Sequence, residues 1–312
     1  MKLNEWLDIW LNKYVKHTVK LRTFERYKYN VEKHINPKLG EYELDELSAS
    51  VLQDFVLDKL ESGNLKTGAP LANNSVIGIV NIIKAALFQA VSLEIIDKEY
   101  SNKIKLPAPT EKPVNAFERQ EQQKIEQFCL NSKKANHIGI VICLYTGLRI
   151  GELLALTWDD IDFANGLMKV EKEAYRIKQN GVWHTIMDKP KTKSSVRVIP
   201  LPKTLLSKLK EIKKKSKNEH IISTRENKVV DTRSYQKTYE RILSKLNIPY
   251  KNFHSLRHTF ATRAVELGID VKSLAEIMGH KNPTVTLQRY THSLLSYKTD
   301  MMNKLGKMLV TA

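Results

Sequence analysis

Leu3, Trp6, Leu7 and Trp10 recur at the spacing of one helix face with polar residues between them, so the chain opens on an amphipathic helix. A second helix is predicted to open at Thr23-Phe24-Glu25-Arg26-Tyr27. A third runs through Ile77, Val80, Ile83, Leu87 and Val91, with Asn73 or Asn74 as its N-cap. Between them the stretch from Glu61 to Pro70, with Gly63, Gly68 and Pro70, reads as a loop. Residues 1–107 therefore predict a small helical domain. Pro107, Pro109 and Pro113 then break the pattern, and residues 108–113 have the composition of a short semi-extended linker. A second domain is expected over residues 114–312.

In that second part Phe117 to Leu130 and Ile138 to Trp158 carry helical periodicity, with Gly147 and Gly151 marking a turn around Arg149. From Asp162 to Pro200 the pattern shortens to alternation. The stretches GLMKVEKEAYRI, VWHTIM and SSVRVIPL are rich in β-branched residues and are punctuated by Asn165-Gly166 and Asn180-Gly181, both hairpin signals. A small antiparallel sheet is expected there. Helical patterns resume at Lys203 and persist to the end, with Gly268 and Gly279 as C-terminal caps and Asp270 as an N-cap. The fold class predicted is mainly α with a small antiparallel β-sheet.

Composition narrows the class. Hydrophobic residues make up 42% of the chain and charged residues 27%, as in globular rather than disordered proteins. The longest unbroken apolar run, Ile138 to Tyr145, is too short to span a bilayer, and MKLNEWLDIW lacks the order of a signal peptide, so no membrane is expected and a cytoplasmic location is. Cys129 and Cys143 both fall in apolar helical patterns, where a buried thiol is expected. The net charge is +17 and unevenly spread: residues 1–107 hold 15 Lys+Arg against 14 Asp+Glu, residues 108–312 hold 36 against 20. Such a field attracts a polyanion, DNA or RNA first. Lys13, Lys16, His17, Lys20, Arg22, Arg26 and Lys28 add a local basic cluster, which a solvated helix face explains as well as phosphate contact does. The run Lys213-Lys214-Lys215 reads as a solvated helix end.

Three stretches carry candidate chemistry. In NFHSLRHTFATRAVELG, His254 and His258 have the spacing of two zinc ligands on a helix. Ser255 stands where the metalloprotease pattern needs Glu, however, and no cysteine or carboxylate completes a set, so no metal is expected. A helix starting near Ser255 would bury Leu256, Phe260, Ala264 and Leu267, and Arg257 would project beside His254. A guanidinium that grips phosphate next to an imidazole that exchanges protons suits chemistry on a phosphodiester, although a cation-decorated helix start fits the pair equally. Downstream, IDVKSLAEIMGHKNPTVTLQRYTH sets His280 exposed just past a helix end and Tyr290 ten residues on. Upstream, LYTGLRIGELLALTWDDID sets Arg149 in a turn with Glu152 three residues later, able to orient it.

Together these boxes resemble those of the tyrosine recombinase, or phage integrase, family: the Arg of TGLRIGELLALTWDDID, the His-x-x-Arg of HSLRHTFAT, and the His and Tyr of GHKNPTVTLQRYTH. The resemblance covers nearly the whole chain and implies a helical core-binding domain followed by an α+β catalytic domain, closing on duplex DNA. It implies a site-specific recombinase of mobile-element type in which Tyr290 attacks the scissile phosphate to give a 3′-phosphotyrosyl bond. Arg149, Arg257 and His280 would hold the non-bridging oxygens, and His254 would assist proton transfer. The general acid would be a lysine of DKPKTKSSVRVIPL: alternation puts Lys191 and Lys193 on one face, and the Lys-Thr pair, which resembles the family's wording, selects Lys191 with Lys193 as the alternative. No cofactor is required, because the covalent intermediate keeps the energy of the broken diester. The partners implied are double-stranded attachment sites, further copies of the chain in a homotetramer on DNA, and accessory DNA-bending or excision factors. The segment HSLLSYKTDMMNKLGKMLVTA would form a terminal helix, docking on its own chain or on a neighbour. A type IB topoisomerase and a non-catalytic DNA-binding protein on the same scaffold are the alternatives.

Overall fold

The computed structural model describes residues 1–110, 113–179, 181–188, 196–280, 282, 284, 299, 302, 303 and 305–307. It divides into two compact units, Met1–Lys112 and Pro113–Ala312.

The first unit is all helical. It holds α1 (Leu3–Ile9), continued by a π-helical turn over Trp10–Val15, then α2 (Leu21–Asn30), α3 (Asn36–Leu39), α4 (Ala49–Ser62) and α5 (Asn73–Ser92). The stripe Leu3, Trp6, Leu7 and Trp10 packs inward as its spacing predicts, against Val76, Ile79, Val80, Ile83 and Leu87 of α5. The 20 residues of α5 are apolar enough to cross a membrane by length and composition. Here they are the core helix of the unit, and Trp6 Nε1 donates to the carbonyl of Ala86 at 2.9 Å. Neither asparagine caps α5. The N-cap is Ala72, and the side chains of Asn73 and Asn74 donate instead to the carbonyls of Ala108 and Thr110, both at 2.9 Å. The proline-marked segment is thereby tied back onto α5, and Asn74 Oδ1, the acceptor a cap would have used, takes the Thr110 N–H at 3.2 Å instead.

The second unit begins with a strap, residues 113–118, pinned by Phe117 N–H to Thr259 Oγ1 at 2.8 Å and by Arg263 Nη2 to the Phe117 carbonyl at 2.7 Å. Its helices are α6 (Arg119–Leu130), α7 (Ile138–Thr146) and α8 (Ile150–Ala155), then, after the strands, α9 (Lys203–Lys215), α10 (Thr232–Lys245), α11 (His254–Glu266) and α12 (Val271–Met278). Helix α7, IGIVICLYT, is apolar all round because it lies at the centre of the core.

The strands form two small antiparallel sheets rather than one. The first has the order β1 (Ile161–Asp162), β2 (Leu167–Val170) and β5 (Arg197–Pro200); the second pairs β3 (Glu173–Gln179) with β4 (Val182–Asp188). The pairing of β3 with β4 reaches Gln179↔Val182, and Gly181 lies in the left-handed region at φ 81°, in the stretch that the hairpin signal marks. Met168 opposes Ile199 and Val170 opposes Arg197, so Met168, Val170, Ile199 and Arg197 share the inward face while Val198 faces out.

Two expectations for α11 are corrected. Leu267 is 82% exposed, because the helix ends at Glu266 and the residue falls past the buried face. Arg257 does not project beside His254 at the surface. Helix α11 is enclosed on most of its circumference, with Ser255, Leu256, Arg257, Thr259 and Ala261 all buried, and the Arg257 side chain runs inward.

Candidate active site

The site is built where α7 stops. Gly147 closes that helix in the left-handed region, φ 65°, with its N–H on the Cys143 carbonyl at 2.9 Å. A Cβ at this position would lie 2.5 Å from Phe260 Cδ1, so backbone and packing both demand glycine. The chain turns through Leu148 and enters α8 with Arg149 extended, φ −74° and ψ 151°, as its N-cap.

Glu152, in the first turn of α8, reaches back to hold that residue twice. Its Oε2 accepts the Arg149 backbone N–H at 2.9 Å and its Oε1 accepts Arg149 Nη1 at 2.8 Å. The carboxylate is almost fully buried and has a second guanidinium partner, Arg197 of β5, which donates Nη1 to Oε1 at 3.1 Å and Nη2 to Oε2 at 2.9 Å. Burial by itself would raise the Glu152 carboxyl; the hydrogen bonds and charge of Arg197, with the charge of Arg149, overcome that and hold it at about 2. Each carboxylate oxygen thus accepts one bond from each arginine.

Helix α12 brings the remaining parts. Asp270 caps its start, accepting the Ser273 N–H at 2.9 Å, and Gly279 ends it at φ 65°. The last carbonyls of a helix have no partner within it and form its electronegative end. Here three successive ones accept from three different arginines: Ile277 from Arg197 Nε at 2.6 Å, Met278 from Arg257 Nη2 at 2.7 Å, and Gly279 from Arg149 Nη2 at 3.3 Å. Arg257, only 1% exposed, also donates Nη1 to the Gly147 carbonyl at 2.6 Å and so ties the end of α12 to the end of α7. Three guanidinium groups against one carboxylate leave the site with a positive surplus, the condition for binding an anion there.

The structure therefore brings Arg149, Glu152 and Arg257 together at the C-terminal end of α12. His280 follows that end directly, its N–H bonded to the Ala275 carbonyl at 2.9 Å; it is half-buried rather than exposed, a correction to the sequence reading that follows from this tight cap. His254, the first residue of α11, is exposed, and its ring meets His258 edge-on with centroids 4.6 Å apart. Lys191, Lys193 and Tyr290 lie outside the described residues.

Among the described residues no group of three or more His, Cys, Asp or Glu side chains is arranged to hold a metal ion. Both cysteines are buried free thiols; burial pushes Cys129 up to about 12 and raises Cys143 as well, which suits neither to act as a nucleophile.

Arg197 is the site residue that sequence reasoning missed. In SSVRVIPL the alternation invites valine inward and arginine outward, whereas the strand does the reverse: Val196 and Val198 are about half exposed and Arg197 shares the inward face with Ile199. The available signal was the carboxylate of Glu152, which needs more than one cation to be buried.

The family model described as the phage integrase family matches residues 115–296, and that described as the phage integrase N-terminal SAM-like domain matches residues 2–60. The chain belongs to the phage integrase family. It is 28% identical, over 99% of its length and 83% of the relative's, to a XerC-like tyrosine recombinase of Caldanaerobacter subterraneus subsp. tengcongensis. It is 26% identical to the transposase of transposon Tn916 from Enterococcus faecalis, covering 86% of this chain and 69% of that one. Among solved structures, the Tn1549 transposon integrase in complex with circular intermediate DNA superposes with a TM-score of 0.77 at 26% identity, over 98% of this chain and all of that one.

Proposed function

We propose that the Arg149–Arg257 centre is where this chain, a site-specific DNA recombinase of mobile-element type, cuts and rejoins DNA strands. What supports the reading is the meeting of two guanidinium groups, drawn from helix starts distant in sequence, at adjacent carbonyls immediately before His280. Cleaving a phosphodiester without metal needs a nucleophile, neutralisation of the charge gathering on the phosphoryl oxygens, and a proton for the departing alcohol.

Arg149 and Arg257 supply the second of these by donating to the non-bridging oxygens, with His280 adding a further hydrogen bond. The Tyr290 phenol attacks phosphorus; the bond to the 5′-oxygen breaks, and that oxygen takes its proton from Lys191 or Lys193. The phenol's ordinary value is about 10, so it reacts near neutral pH only beside a proton acceptor or in cationic surroundings, and His254 is assigned to assist that transfer. The 3′-phosphotyrosyl link preserves the energy of the broken bond. A 5′-hydroxyl from another strand then reverses the step and completes the exchange, with no nucleotide cofactor.

The substrate is double-stranded attachment-site DNA, and the reaction requires copies of the chain acting together on two sites, as a tetramer. The first unit serves as the core-binding domain and the second as the catalytic one, with residues 108–113 between them as the linker; the protein works in the cytoplasm, where its DNA is.

A nicked duplex carrying an attachment site from the end of the encoding element tests this. Cleavage of the nicked strand a few nucleotides 5′ of the nick frees the short 5′-hydroxyl fragment between the two, which diffuses away and leaves the covalent adduct trapped. The wild-type chain is expected to yield a protein band shifted by the mass of the bound strand, and Tyr290→Phe none. An adduct that persists in Tyr290→Phe moves the nucleophile elsewhere. DNA binding without any adduct in the wild type makes the chain a binding protein only, and relaxation of supercoiled DNA lacking a partner site favours topoisomerase activity.

A further inference from the structure

The third arginine of the cluster stands outside the set that the motifs point to, yet all three of its guanidinium nitrogens bond to the site's framework. Arg197 is buried, with its side chain only 6% exposed. It meets Glu152 through two parallel N–H···O bonds and the Ile277 carbonyl through a third, 2.6 Å long. The turn that leads to His280 is packed onto the same group: a Cβ on Gly279 would lie 2.9 Å from Arg197 Nη1, so the backbone rests against the guanidinium plane. Arg197 also opens β5, just after the residues that carry Lys191 and Lys193.

We propose that Arg197 is a positioning residue for strand cleavage, fixing Arg149 through Glu152 and fixing the end of α12 ahead of His280 through the Ile277 carbonyl. The proposal rests on the functional reading given above.

Two physical consequences make this more than packing. The first is geometric. Glu152 holds Arg149 by one oxygen at the side chain and the other at the backbone; a carboxylate free to rotate about its terminal torsion could keep only one of those contacts at a time. The fork of Arg197 engages both oxygens at once and blocks that rotation. The second is electrostatic. A single guanidinium paired with a single buried carboxylate is largely neutralised and attracts a phosphate weakly. With Arg197 as the carboxylate's principal counter-charge, Arg149 keeps its own charge for the ligand. Its side chain is 38% exposed, so it remains open to one.

A lysine at position 197 retains the charge and loses the fork, so it separates the two contributions. Arg197→Lys and Arg197→Gln are compared with Arg149→Lys and with the Arg149→Lys/Arg197→Lys double variant on the nicked duplex. Each is assayed at a temperature where its thermal unfolding curve shows it folded. Adduct-formation rate at saturating DNA and DNA affinity are both read.

The rate of Arg197→Lys is expected to fall by about 10²-fold, the scale of a misplaced catalytic group, with affinity changed less than about threefold. Arg197→Gln, which loses charge as well as fork, is expected to be slower still. The double variant should be slowed by clearly less than the product of the two single effects, because one of the two routes by which Arg197 acts runs through Arg149. Such non-additivity at unchanged affinity is not what a general loss of packing produces. Wild-type rate in both position-197 variants overturns the proposal, as does a double variant slowed by the product of the two single effects. These outcomes are separable from failure of the functional reading, in which the wild type itself gives no Tyr290-dependent adduct and the proposal falls with it. If Arg197→Lys does not fold, the Arg197→Gln comparison decides by the same criteria.

Discussion

Glu152 is a carboxylate only 4% exposed, held at about 2 against an ordinary value near 4.5, and that difference makes it a contributor to stability as well as an orienter of Arg149. A group whose folded value is depressed stabilises the protein above its unfolded value and loses that contribution as pH falls toward the folded one. Glu152→Gln is therefore expected to destabilise the second unit at neutral pH by roughly 3 kcal/mol. The gap from wild type should shrink as pH drops from about 4.5 toward 2. Urea unfolding of both proteins across that range measures it, and a gap that stays constant would remove the ionised carboxylate from the account. At this scale the sequence named Arg149, Glu152, Arg257 and His280, because the boxes that carry them resemble those of the tyrosine recombinases, and the structure brings these four to the end of α12. It did not name Arg197: whether a strand residue faces in or out depends on register against β2, and Val198 competes for the inward face on hydrophobicity alone.

Helix α12 is only eight residues long, too short to be stable by its own hydrogen bonds, so its ends matter out of proportion to its length. At one end Asp270 satisfies the Ser273 N–H, and the hydrogen bonds from the Ser273 hydroxyl and then its N–H hold the Asp270 carboxyl below its usual range. At the other, three arginines satisfy its carbonyls. Asp270→Ala is expected to cost about 1 kcal/mol of unfolding free energy. Because the arginines lean on the far end of the helix, it should also slow adduct formation more than Asp8→Ala, a change at an exposed residue of the first unit, does. Equal rates for the two variants would show that the frame does not depend on this cap. Element signals of a local kind were read correctly, among them the Asp270 cap and the Gly279 stop. The alternating stretches from Asp162 to Pro200 form antiparallel strands as expected, in two small sheets, whereas the cap expected at Asn73 or Asn74 failed because both side chains bind residues 108 and 110 instead.

Across the whole molecule nearly all of the net charge of +17 belongs to residues 108–312, with residues 1–107 close to neutral. DNA binding should accordingly weaken steeply with salt. A log–log slope matching 6–10 neutralised phosphates corresponds to a loss of roughly 10³–10⁵ in affinity between 50 and 200 mM monovalent salt. Filter-binding or anisotropy titrations across that interval give the slope, and a nearly flat response would mean that the basic surface is not the DNA-binding one. The sequence by itself determined the chemistry available and the partner: charge sign, residue types and local start and stop signals are written in order along the chain. Only the tertiary structure decided how that chemistry is held. Arg149, Arg197 and Arg257 are separated by dozens of residues, and nothing in their local patterns says that they share the end of one short helix. That arrangement follows from the close packing of α7, α11 and β5, which leaves the buried carboxylate and three exposed-end carbonyls no acceptable partners except those guanidinium groups.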